Sequence, residues 1–89
     1  MRVRVFVTAR FQRSFEALEP AIRGRVRQGL NAIRAVPLVG KALKGPVSGE
    51  YSHRVGVYRI IYTYDAQQRA VWLETVRHRR EVYRRRRGR

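Results

Sequence analysis

Cysteine is missing from the 89 residues of this chain, and histidine and carboxylates are scarce. The lack of cysteine excludes disulfides, thiolate catalysis and cysteine-ligated metal, and it fits a reducing cytoplasm, where we expect the protein to act. Two histidines and six carboxylates do not favour a histidine-rich or carboxylate-rich metal cage. We therefore expect neither a metal nor another cofactor.

Long apolar runs are also missing. Near the start of the chain, Arg2 and Arg4 alternate with Val3 and Val5, and the first seven residues do not form the apolar run of a signal peptide. No stretch approaches the roughly 20 apolar residues of a membrane-spanning helix, so we expect a soluble protein with no membrane partner. The chain length leaves room for a single domain, which we place at residues 1–83, followed by an arginine-rich tail at residues 84–89.

Positive charge is what the sequence has in excess. Lysine and arginine total 21 against six acidic residues, which gives a formal net charge of +15, and only Lys41 and Lys44 are lysines. The planar guanidinium group matches phosphate oxygens and can stack on bases, so the bias towards arginine indicates a nucleic-acid partner. An acidic protein partner would also relieve the self-repulsion of such a chain. A non-enzymatic RNA-binding protein would have the same composition.

The order of hydrophobic patterns predicts an α+β domain. Residues 2–7 alternate as in a strand, and two apolar stripes at helical spacing follow in residues 9–35, with Thr8 as a cap and Pro20 in the first turn of the second helix. A loop rich in glycine and proline precedes three further strands, at residues 51–55, 58–64 and 70–76. We predict a β-α-α-β-β-β fold, in which a mostly antiparallel four-stranded sheet carries the helical hairpin on one face.

Three blocks of sequence coincide with a known pattern: Leu43-Lys44-Gly45 in the loop, the segment from Tyr51 to Tyr62 across two strands, and the segment from His78 to Tyr83 near the end. With the element order, they resemble the RelE/ParE toxin superfamily, whose pattern is Leu-Lys-Gly, Tyr-Arg-x-Arg-x-Gly-x-Tyr-Arg-x-x-Tyr and His-Arg-x-x-x-Tyr. The resemblance covers nearly the whole chain. One position departs from it, because the first arginine of the second block is Ser52 here.

The resemblance to the RelE branch implies a toxin of a type II toxin–antitoxin system that cleaves mRNA on the ribosome without a metal ion. Its partners would be mRNA, the ribosome and an acidic antitoxin, the last in a hetero-oligomer. Such cleavage needs a base for the ribose 2′-OH, cations that stabilise the phosphorane and an acid for the leaving 5′-oxygen.

The resemblance also assigns residues to these tasks. Arg59 matches the catalytic arginine of the central strand, and strand alternation places it opposite an apolar face. Tyr83 and His78 are alternative proton-transfer groups, with Lys44 as a third. His53 is expected to be structural. The catalytic candidates are thus Arg59, Tyr83, Arg79, His78 and Lys44, and the RNA-binding candidates are Arg54, Arg77, Arg80, Lys41 and Arg84.

Two alternatives remain open. A toxin of the ParE branch shares the fold but inhibits DNA gyrase by binding it, and a non-enzymatic RNA-binding protein would need only the charge. The joint presence of Arg59, His78, Arg79 and Tyr83 favours the nuclease, since gyrase binding needs no such cluster.

Overall fold

Two helices form where the sequence predicts the helical hairpin. The computed structural model describes residues 3–43 and 49–80, and in it α1 spans Ala9–Glu16 and α2 spans Pro20–Ala35. The Thr8 hydroxyl caps α1 by accepting a hydrogen bond from the backbone N–H of Phe11 at 3.1 Å. Among the described residues, no helix is both long and apolar enough to cross a membrane.

The sheet has five strands, one more than predicted, in the spatial order β1-β5-β4-β3-β2. The strands are β1 at Arg4–Val7, β2 at Lys41–Ala42, β3 at Glu50–Val55, β4 at Tyr58–Asp65 and β5 at Ala70–His78. The β2–β3, β3–β4 and β4–β5 pairings are antiparallel, whereas β1 runs parallel to β5. The predicted α+β fold with a mostly antiparallel sheet is confirmed.

The additional strand, β2, lies in the segment that the sequence predicts as a loop. It follows a 3-10 turn at Pro37–Val39, and the buried Tyr62 holds both ends of this turn. The Tyr62 hydroxyl donates to the Pro37 carbonyl at 2.7 Å and accepts from the Gly40 N–H at 3.0 Å. The chain is thereby directed along the edge of the sheet, where Lys41 pairs with Ser52.

The hydrophobic core lies between the two helices and one face of the sheet. Its buried members come from both helices and from β4 and β5: Phe11, Val26, Ile33, Ile60, Tyr62, Val71, Leu73 and Val76. The opposite sheet face, here called the open face, is not covered by α1 or α2. By strand register it carries Arg4 and Phe6 of β1, Lys41 of β2, Glu50, Ser52 and Arg54 of β3, Arg59, Ile61, Thr63 and Asp65 of β4, and Trp72, Thr75 and Arg77 of β5.

A β-bulge in β5 decides which of its last residues reach the open face. Ile61 pairs with Thr75 but the next residue, Tyr62, pairs with Leu73, so Glu74 has no partner across the ladder. One extra residue reverses the alternation of side chains beyond it. As a result Val76 points into the core and Arg77 points to the open face.

Candidate nucleic-acid interface

Three arginines form a row across the open face. Arg59 of β4 lies directly opposite Arg54 of β3 on one side and Arg77 of β5 on the other. Residues opposite each other in a sheet have Cβ atoms about 4.5–5.5 Å apart, and like charges in such pairs repel. The row Arg54–Arg59–Arg77, here called the arginine row, is therefore electrostatically suited to an anion that lies across it.

Arg59, the middle arginine, is partly buried and held by a side chain of the neighbouring strand. Its Nη1 donates a hydrogen bond of 3.2 Å to the hydroxyl of Ser52, and its Nε is shielded from solvent. Lys41 of β2 pairs with Ser52 from the other side and is exposed on the same face. A further cation thus stands beside the row.

The structure places Arg77, a predicted RNA-binding residue, opposite Arg59, and does not place the catalytic candidate Arg79 there. The last strand extends to His78, two residues beyond its predicted end at residue 76, and so includes Arg77. Arg79 lies past the strand with an exposed side chain, and its backbone N–H donates to the Val57 carbonyl at 2.7 Å. Arg80 is also exposed. The predicted RNA-binding residues Arg54 and Arg77 are therefore brought together with Arg59, whereas Arg79 and Arg80 stand beyond the end of β5.

His78 is on the helix-facing side of the sheet, not with the arginine row. It pairs with Tyr58, and the two rings meet edge to face with centroids 5.5 Å apart. Its Nδ1 accepts a hydrogen bond of 3.2 Å from the backbone N–H of Arg80, which leaves Nε2 to carry the proton of the neutral ring. The described structure does not bring His78 next to Arg59.

His53 also faces the helices, as its predicted structural role requires. An added Cβ on Gly29 of α2 would lie 3.4 Å from its Cδ2, so the helix passes close above it. Burial lowers the pKa of His53 below its usual 6.5, and the charge of Arg59 lowers it further. The candidates Tyr83, Lys44 and Arg84 lie outside the described residues.

The half of the open face that lies away from the arginine row carries aromatic and acidic side chains, an arrangement that the sequence analysis did not predict. Phe6 stacks on Trp72 with ring centroids 5.4 Å apart, and the Arg4 guanidinium lies 5.7 Å from the Phe6 centroid. The acidic residues Glu50 and Asp65 share this end of the face by register, and Thr63 donates to the Glu74 carboxylate at 3.1 Å. Carboxylates disfavour phosphate, so the half of the open face with the arginine row is the better candidate for binding an anion.

The sequence analysis noted Ser52 only as a departure from the superfamily pattern and did not predict its hydrogen bond with Arg59. Within residues 3–43 and 49–80, no three His, Cys, Asp or Glu side chains come together as candidate metal ligands. The chemistry that the described residues themselves support is electrostatic: guanidinium groups held on a rigid sheet can bind a phosphodiester and stabilise the charge that develops during its cleavage.

The fold is that of a toxin family. Residues 5–83 match the family model of the ParE toxin of the type II toxin–antitoxin system, parDE. The chain therefore belongs to this family of toxins, within the RelE/ParE superfamily.

Individual relatives agree with this assignment. Toxin RelG of Mycobacterium tuberculosis (strain ATCC 25618 / H37Rv) is 36% identical over 85 residues, which are 93% of this chain and 95% of RelG. A chain of the toxin–antitoxin complex RelBE2 from Mycobacterium tuberculosis is 30% identical, with a TM-score of 0.76 over 88% of this chain and 99% of that one. The isolated E. coli RelE toxin, 17% identical, shares the fold with a TM-score of 0.74 over 93% of this chain and 97% of its own.

Proposed function

We propose that this toxin is an endoribonuclease that cleaves mRNA on the ribosome: a ribose 2′-OH attacks the adjacent phosphate, the P–O5′ bond breaks, and the 5′-oxygen of the next nucleotide leaves and is protonated. The observation that carries the proposal is the arginine row, with Arg59 at its centre. Its guanidinium groups bind the scissile phosphate and stabilise the extra negative charge of the phosphorane. No metal ion is required in this proposal, since the side chains supply the cations.

Proton transfer is assigned to Tyr83, which takes the proton of the 2′-OH or aligns that hydroxyl. His78 and Lys44 are the alternatives. His78 is the weaker alternative, because its ring lies on the helix-facing side of the sheet and the arginine row lies on the other side. Arg79, Arg80 and Arg84 follow β5 along the chain and are assigned to binding of the flanking RNA backbone, together with Lys41.

The proposed protein partner is an acidic antitoxin that lies across the basic surface. The net charge of +15 supports this, because a cognate acidic chain would neutralise it. The related RelBE2 chain and the RelE–RelB complex from Pyrococcus horikoshii OT3 were both solved as toxin–antitoxin complexes. The antitoxin gene is expected to lie beside the toxin gene. Co-expression of the toxin with the product of that gene should relieve the growth arrest that the toxin causes and yield a complex that co-purifies. A neighbour that neither binds nor rescues would contradict this part of the proposal.

Primer extension on an mRNA that is being translated tests the nuclease directly. The wild-type protein should produce new 5′ ends that depend on ribosomes, and Arg59→Ala should lower the cleavage rate by about 10² to 10³, the usual effect of removing one preorganised charge contact. Arg10→Ala is the matched control, since it removes the same charge from an exposed position on α1. Tyr83→Phe, which deletes only a hydroxyl, should also stop cleavage.

The outcomes separate the candidates. If Tyr83→Phe cleaves at the wild-type rate, the phenol transfers no proton, and His78 or Lys44 takes that role. If Arg59→Ala stays fully toxic and no ribosome-dependent cut appears, the nuclease proposal fails. Inhibition of DNA gyrase by binding, the alternative that the resemblance to ParE toxins implies, then becomes the better function and is read out by a supercoiling assay.

A further inference from the structure

We propose that Ser52 is a positioning residue that fixes the Arg59 guanidinium for the reaction, an inference that rests on the proposed nuclease function. Ser52 stands where the superfamily pattern has an arginine. Its hydroxyl accepts the hydrogen bond from Arg59 Nη1 at 3.2 Å. At this position the chain therefore has a hydrogen-bond acceptor for Arg59, where the superfamily pattern has another arginine.

Burial shows why Ser52 acts through Arg59 and not on RNA. The residue is only 3% exposed, although it lies on the open face, so its hydroxyl is not available to a phosphate. Its two cross-strand neighbours are Lys41 of β2 and the buried Ile61 of β4, which fix its backbone from both sides. The Ser52 hydroxyl is therefore held at a fixed position on the strand next to Arg59.

Charge explains why a hydroxyl suits this position. Arg59 lies between Arg54 and Arg77, and repulsion from both neighbours would move a long, flexible side chain away from the middle of the row. A carboxylate would hold the guanidinium but would also neutralise the charge that the phosphate needs. A neutral acceptor orients the Arg59 guanidinium without itself cancelling any of its positive charge.

A double-mutant cycle tests the proposal on the full-length protein with ribosomes and a translated mRNA, at saturating toxin in single turnover. Ser52→Ala should lower the saturated rate about tenfold, as expected for a hydrogen bond to a charged group, while the half-saturating concentration changes little. Ser52→Thr, which keeps the hydroxyl, should restore most of the rate. In the Arg59→Ala background, Ser52→Ala should cause no further loss, since its effect passes through Arg59.

Two further variants test whether the loss of rate comes from the missing hydrogen bond to Arg59 or from a general disturbance of the packing. Ser52→Cys keeps a side chain of similar size with a much weaker acceptor and should also lower the saturated rate about tenfold, which keeps the proposal testable if the alanine variant does not fold. Thr75→Val removes another buried hydroxyl from the row that contains Ile61 and Ser52, and it should leave the rate unchanged. A wild-type rate in Ser52→Cys, or an equal loss with and without Arg59, overturns the proposal. A wild-type rate in Arg59→Ala alone overturns the nuclease function as well, so the two failures are distinct.

Discussion

Tyr62 and Gly40 are joined by a hydrogen bond of 3.0 Å from the Gly40 backbone N–H to the phenol oxygen, across 22 residues of chain. The phenol in turn donates to the Pro37 carbonyl at 2.7 Å. Burial raises the pKa of Tyr62 above its usual 10.0, against a smaller opposing effect of the Gly40 hydrogen bond. The neutral hydroxyl therefore closes the turn that leads to Lys41.

Removing this hydroxyl should destabilise the fold. Tyr62→Phe leaves the N–H of Gly40 and the carbonyl of Pro37 without their partner, which should cost about 1–3 kcal/mol. In a domain of this size, each kcal/mol of lost stability lowers the Tm by roughly 4–8 °C. The Tm of each variant is measured by circular dichroism. Tyr64→Phe, in the same strand and on the same face, is the control and should change the Tm little. Equal effects of the two variants would contradict the role given to the Tyr62 hydroxyl.

Two glycines of α2 should respond to alanine in opposite directions. An added Cβ on Gly24 meets no atom within 4 Å, so Gly24→Ala should stabilise the helix by about 1 kcal/mol. On Gly29 it would lie 2.8 Å from Val55 Cγ2 and 3.0 Å from Ile60 Cδ1, so Gly29→Ala should destabilise the packing of α2 on the sheet by about 1–3 kcal/mol. Chemical denaturation of both variants gives the comparison, and a stabilised Gly29→Ala would show that this contact is loose.

Acid should weaken the fold through His53. Its pKa is lowered in the folded state, so the unfolded chain binds the proton more readily as the pH falls below its usual 6.5. The stability contributed by the neutral ring is complete above that value and is lost as the pH drops through the lowered pKa. The Tm should therefore fall between about pH 7.5 and pH 5 in the wild type and less steeply in His53→Gln. Identical slopes would exclude His53 as the source.

The arginine tail should supply affinity and not chemistry. Residues 84–89 contain five arginines, and contacts of this kind bind phosphate without sequence information. Truncation after Tyr83 should reduce the salt dependence of RNA binding, by about 0.7 in the logarithmic slope for each lost contact to single-stranded RNA. Cleavage at saturating protein should continue. Loss of the saturated rate would place the tail in the active site.

The sequence was sufficient to predict the helices and strands whose hydrophobic residues recur with a regular period. The stripes that contain Phe11, Val26 and Ile33 gave both helices, and alternation gave the four longer strands. The two-residue strand β2 was not predictable, because its position depends on a hydrogen bond between Pro37 and Tyr62, 25 residues apart. A segment of that length has no periodicity of its own.

The site was predictable in part for the same reason. Arg59 follows from simple alternation in β4, whose other face is apolar. Simple alternation in β5 would place Arg77 on the same side as Leu73, in the core, and His78 on the same side as Trp72. The bulge at Glu74 reverses both, and it is visible only in the register with β4.

The parallel pairing of β1 with β5 has a consequence for the time course of synthesis. Thr8 donates from its hydroxyl to the Leu73 carbonyl at 2.7 Å, across 65 residues, so the first strand finds its neighbour only after nearly all of the domain has been translated. At about 5–20 residues per second this delay is on the order of several seconds, and contacts so distant in sequence also slow folding. Arg77 is added later still. The arginine row is therefore among the last surfaces of the described fold that a nascent chain can complete.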